Sequence, residues 1–175
     1  MSEKNELIKI TKESFLRRFD PLSMVTEYRH IKNTIEAIKS DKNSISVYSK
    51  HLGEDAVLVV IELHLVALNN SLNLKMKLNK MQIKEIAIEI IALYFYFSIV
   101  EIQYIFRKAK RGEFGKFYQS IDIVEILSWF SQYAEERAQH FIEENTKDIQ
   151  NDHSMRSAER KMWQQHEKLI NKNQG

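Results

Sequence analysis

The stretch from Ser98 to Tyr133 limits the possible folds more than any other part of the chain. It holds two of the four glycines, Gly112 and Gly115, inside one tight turn, and a helix-start signal on either side of it: Ser98 with Glu101, and Asp122 with Glu125. In such pairs the first side chain accepts from the N–H three residues on, and the glutamate answers it. The segment therefore predicts a helix, a Gly-x-x-Gly turn and a second helix. Outside it, 175 residues contain only two more glycines and a single proline. Sheet-rich folds need far more turn residues than that. The expected class is all-α: a single-domain helical bundle of about six helices with a C-terminal helical extension.

Residues 1–20 are mixed and charged. Leu7, Ile8, Phe15, Leu16 and Phe19 make a weak apolar stripe, which predicts a frayed helix or an arm. Asp20-Pro21 is a start signal, with a capping carboxylate and a proline at the first helical position. Met24, Tyr28, Ile31, Ile35 and Ile38 then follow steps of four and three, predicting one helix to about Ser40. Ser44–His51 reads as a short helix closed by Gly53. Ala56–Asn69 is apolar almost all round; its length favours a buried helix, although the alternation from Ile61 to Leu65 permits a strand. Asn79 with Gln82 opens a helix whose main face is Ile83, Ile86, Ala87, Ile90 and Tyr94. A second apolar side, Ile88, Ala92 and Phe95, predicts that this helix is central. Ile123, Ile126, Leu127, Phe130, Ala134, Ala138 and Phe141 line one face of the last long helix. The core domain is expected over 21–142 and a polar helical extension over 143–175.

The turn carries the most distinctive chemistry. Arg107, Lys108, Lys110, Arg111 and Lys116 surround it, with Phe106, Phe114, Phe117 and Tyr118 interleaved. Cations for phosphate beside rings for base stacking is the composition of a nucleic-acid site. The candidate contacts are Arg107, Lys108, Lys110, Arg111, Phe114, Lys116 and Tyr118. The alternative is a solvated helix end over rings that belong to the core. The net charge is only +2, so any attraction to a polyanion must be local. In the extension, Ile142, Ile149, Trp163 and Ile170 fall at multiples of seven, as do Met155, Met162 and Leu169. Such a sparse seam predicts docking on a partner protein or on a second copy, with Met155, Met162, Trp163 and Leu169 as contacts; a frayed polar tail is the alternative.

Other chemistry has little support. There is no cysteine, hence no thiol nucleophile and no Cys-based zinc site, which fits a reducing, cytoplasmic setting. GEFGK lacks the spacing of a phosphate-binding loop. Glu136, His140 and Glu144 share a helical face, but a metal would need ligands from a second helix, and no metal or cofactor is expected. Arg160 and His166 resemble the Arg–His pair of helical ribonucleases of the HEPN type only in outline, so no enzymatic activity is expected. The most apolar runs are shorter than a membrane span and each carries a glutamate.

The run from Arg107 to Arg137 resembles an uncharacterised family of Bacteroidetes phages, prophages and mobile elements. The features that carry the likeness are Arg111, Gly112, Phe114, Gly115, Tyr118, Asp122, Trp129, Tyr133 and Glu136-Arg137, and the similarity extends over roughly 53–140. Gln119 or Ser120 stands where the family pattern has a glycine shortly after the tyrosine. The resemblance implies a non-enzymatic DNA-replication accessory protein of the helicase-loader or replisome-organiser type. Its partners would be DNA and a replicative helicase or another protein. The second reading is a protein–protein interaction module, a host-factor inhibitor or small virion component, without nucleic-acid binding.

Overall fold

The computed structural model describes residues 10–115 and 119–172, with the backbone alone at Asp148, 151–161 and 163–172. Its described residues form eight helices and no strand, so the fold is all-α. In chain order they are α1 (Lys12–Arg18), α2 (Pro21–Glu27), α3 (Thr34–Ser40), α4 (Ile45–Leu52), α5 (Glu54–Ser71), α6 (Lys80–Leu93), α7 (Ile99–Lys110) and α8 (Ile123–Lys172). The chain divides into two compact units, Met1–Ala134 and Glu135–Gly175.

The count exceeds the expected six at the N-terminal end of the chain. Residues 12–18 form a capped helix, with Thr11 and Ser14 satisfying each other's backbone N–H groups. Phe15 and Phe19 are buried and meet the Tyr48 ring at 4.8 and 5.4 Å. The helix expected from Pro21 to Ser40 is two helices. Asn33 accepts from Glu36 N at 2.9 Å, and Glu36 accepts from Lys32 N at 2.7 Å, a second start signal inside the expected span. That restart resets the helical phase. Met24, Tyr28 and Ile31 are buried as the periodicity predicts, whereas in α3 Thr34 and Ala37 are buried and Ile35 is exposed.

The start signals at Asn79/Gln82 and Ser98/Glu101 are both reciprocal capping boxes. Asp122 accepts from Glu125 N at 2.9 Å. Around α5 and α7 the core gathers Val57, Val60, Ile61, Leu65, Ile86, Ile90, Ile102, Ile105 and Phe130. α6 buries its main face only. Ile88, Ala92 and Phe95 instead line a groove of about 320 Å³ with Ile45, Ser46 and Ser49 of α4, so α6 lies at the edge of its unit rather than at the centre.

α5 buries one polar group in the middle of this packing. The His64 ring lies 2.9 Å from both Phe19 O and Gln103 Oε1. A carbonyl only accepts, so Nε2–H donates to Phe19. Burial lowers the pKa of the ring below its ordinary 6.5 and keeps it neutral. Nδ1 then accepts, which turns the Gln103 amide NH₂ toward it. The unfolded chain takes up this proton first, so stability falls as pH drops below about 6.5 toward the depressed folded value. The expected slope there is up to ~1.4 kcal/mol per pH unit, measured by urea unfolding between pH 7 and 5. In His64→Gln the slope should flatten. Comparison of the two chains separates this effect from Asp41, whose buried carboxyl is shifted upward and acts in the opposite sense. An unchanged slope in the variant would rule out His64 as its source.

Candidate functional site: the basic turn and the C-terminal helix

The turn after α7 has a specific backbone architecture. Glu113 N donates to Lys108 O at 3.1 Å and Gly112 N to Ala109 O at 2.9 Å. This is the six-to-one and five-to-two pattern of a Schellman helix end, with Gly112 in the left-handed region at φ 77°. Gly115, at φ 113°, donates to Gly112 O at 3.1 Å and completes the reversal. Both glycines thus have the positive φ that a tight Gly-x-x-Gly turn requires.

The same wrap sends Glu113 back over the last turn of α7. Its Oε1 accepts from Arg111 Nε at 2.7 Å, and its Oε2 lies 3.7 Å from Lys108 Nζ. Lys108 is only 9 % exposed and lies over the Tyr104 and Phe114 rings, 5.9 and 5.6 Å from their centroids. Arg107 points the other way. Its guanidinium donates to Tyr28 O at 2.8 Å and also to Ile31 O, main-chain groups between α2 and α3. Burial, then the neighbouring Arg111 charge, lowers its pKa. Lys110 and Arg111 are the exposed members of the set; partial burial of its stem lowers the Lys110 pKa, with no neighbouring carboxylate acting on it among the described residues.

Five of the seven candidate nucleic-acid contacts lie among the described residues, and they differ in what they touch. Lys108 and Arg111 share a carboxylate, and Arg107 serves the interior. Phe114 lies parallel to the buried Trp129 ring, with centroids 6.0 Å apart and planes 8° apart. Lys116 and Tyr118 lie outside the described residues. In the sequence Glu113 is one carboxylate among five cations from Arg107 to Lys116. Its signal is positional rather than compositional: a glutamate directly after the glycine of a helix end is carried back toward that helix.

Trp129 sits off the main stripe of α8 because Phe114 occupies that side. Tyr133 donates to Glu101 Oε1 at 3.2 Å, so the capping carboxylate of α7 also holds the first turns of α8. In the second unit Phe141, Ile142, Ile149 and Met162 are 40, 58, 59 and 66 % exposed. Of the expected partner contacts, Met162 is one of these; Met155, Trp163 and Leu169 are placed on the helix by their backbone, and their side chains lie outside the described residues. No group of three His, Asp or Glu side chains that could hold a metal occurs among the described residues. Among them, too, no helix is long and apolar enough to cross a membrane.

Residues 75–173 fit the model of a family of unknown function, DUF6633. The match starts later than the resemblance at 53–140 implies and runs on through the polar part of α8. No curated protein and no solved structure is significantly similar. Since the match covers more than half of the 175 residues, the chain belongs to the family of unknown function DUF6633.

Proposed function

We propose that this protein is a non-enzymatic protein–protein interaction module that engages its partner through the part of α8 beyond Glu135. The observation that carries this reading is the exposure of Phe141, Ile142, Ile149 and Met162 on an otherwise polar helix. Phe141, Ile142 and Ile149 fall within about 100° of one another around the helix, and an apolar patch on a polar surface marks a contact site. The family match supports it by including this helix in the shared segment. The shared use of Glu113 by Lys108 and Arg111 favours this reading over phosphate binding at the turn. A host-factor inhibitor or a small virion component of a phage or mobile element is the role that fits such a module.

The second reading, a DNA-replication accessory protein, is favoured by exposed Lys110. Two measurements separate them. Fluorescence anisotropy with single- and double-stranded DNA should show no saturation below about 100 μM at 150 mM salt, the weak limit of non-specific binding. Affinity capture with the full chain should enrich a protein that Ile142→Ser/Ile149→Ser/Met162→Ser loses while its melting temperature is unchanged. Salt-dependent DNA binding that disappears in Lys108→Ala/Lys110→Ala/Arg111→Ala would replace the interaction reading with the replication one.

A further inference from the structure

Beyond Glu135, the charge of α8 is polarised along its length. Residues 135–152 contain six carboxylates (Glu135, Glu136, Glu143, Glu144, Asp148, Asp152) and two cations (Arg137, Lys147), a net of −4. Residues 153–172 contain five cations (Arg156, Arg160, Lys161, Lys168, Lys172) and two carboxylates (Glu159, Glu167), a net of +3. The helix dipole does not account for the acidic half. That dipole acts within the first and last turns, whereas α8 begins at Ile123, well upstream of Glu135.

The apolar pattern says what kind of surface the helix meets. Ile142, Ile149, Trp163 and Ile170 fall at multiples of seven, with Arg156 at the one intervening place. On a straight helix such a row drifts by about 20° per heptad, so it stays in contact only with another helix that supercoils around it. From these two observations we infer that the occupant is a second copy of this chain, paired antiparallel along 142–170. This inference rests on the interaction reading above and names its partner. A parallel pair would set acidic half against acidic half; the antiparallel one sets each acidic half against the partner's basic half. Centred on position 156, it matches Ile142 with the partner's Ile170 and Ile149 with the partner's Trp163. Arg156 stands at the two-fold, where one polar residue in an apolar seam fixes register at some cost in stability. Asp152 and Glu159 stand about one turn away on either side of it along the same helix.

The test is sedimentation velocity on the full 20.8 kDa chain. A species of about twice that mass is expected, weakening between about 50 and 500 mM salt as screening grows. Glu143→Lys/Glu144→Lys/Asp148→Lys should weaken the dimer at least about tenfold, and Arg160→Glu/Lys161→Glu/Lys168→Glu likewise; both sets in one chain should restore it. Absence of native cysteine makes cross-linking clean. Ile142→Cys/Ile170→Cys should give a covalent dimer under oxidation, and Ile142→Cys alone should not. A monomeric wild-type chain, charge variants that pair as the wild type does, or cross-linking by Ile142→Cys alone would overturn the proposal. A monomer that still captures a foreign protein through Ile142 and Ile149 would leave the interaction reading standing; loss of both would remove each.

Discussion

Replacing Trp129 with alanine is expected to lower the unfolding free energy by about 3–5 kcal/mol, the range for deleting a large buried aromatic. Trp129 is the largest fully buried side chain described. Its loss opens a cavity and also removes the ring on which Phe114 lies. Phe114 in turn lies under the Lys108 ammonium, so the damage spreads from the start of α8 to the turn after α7. Urea unfolding measures the total. A cycle with Phe114→Ala should show a coupling of about 0.5–1.5 kcal/mol, as stacked rings give beyond their buried area. Trp129→Phe, which keeps most of the apolar volume, should cost distinctly less. A loss under ~1.5 kcal/mol for Trp129→Ala would mean the neighbouring side chains close over the site, and the stacked pair would not be what seats the turn.

Much of the fold is legible in the sequence because its boundaries are set by local chemistry. Asp20-Pro21, Asn79 with Gln82, and Ser98 with Glu101 satisfy orphan N–H groups within one helical turn, so short patterns suffice to find them. Gly112 and Gly115 follow for the same reason: a left-handed backbone position is a local requirement. The break between α2 and α3 was written locally too, in Asn33 and Glu36, but an apolar period of three and four ran across it and masked it. What the sequence does not display is the use made of a side chain by a distant segment. Arg107 looks like one more cation of a basic helix end, yet its partners lie 79 and 76 residues away. Likewise the ring of Phe114 looks available for stacking until Trp129, fifteen positions later, is found beneath it. The candidate site was located by composition; its electrostatics were decided by tertiary contacts.

Arg107→Ala is expected to cost about 1–3 kcal/mol, because it strands Ile31 O and leaves Tyr28 O with only its bond from Ile31 N. α2 ends at Glu27 and α3 starts at Thr34, so the carbonyls of residues 28–32 fall between helices. α7 supplies donors to three of them from one face, Arg107 to Tyr28 O and Ile31 O and Tyr104 Oη to Lys32 O at 3.0 Å, while Ile31 N also donates to Tyr28 O. Arg107→Lys should recover only part of the loss, since an ammonium lacks the planar fork that serves two carbonyls at once. The site of the damage is as diagnostic as its size. Amide hydrogen exchange in Arg107→Ala should speed up over residues 24–37 before it does in α5 or α6, as expected when a docked segment is released locally. Uniform acceleration across the first unit would instead assign Arg107 to the global core. If residues 24–37 were unaffected and DNA affinity fell, Arg107 would belong to a phosphate-binding surface, and the interior role assigned to it here would fail.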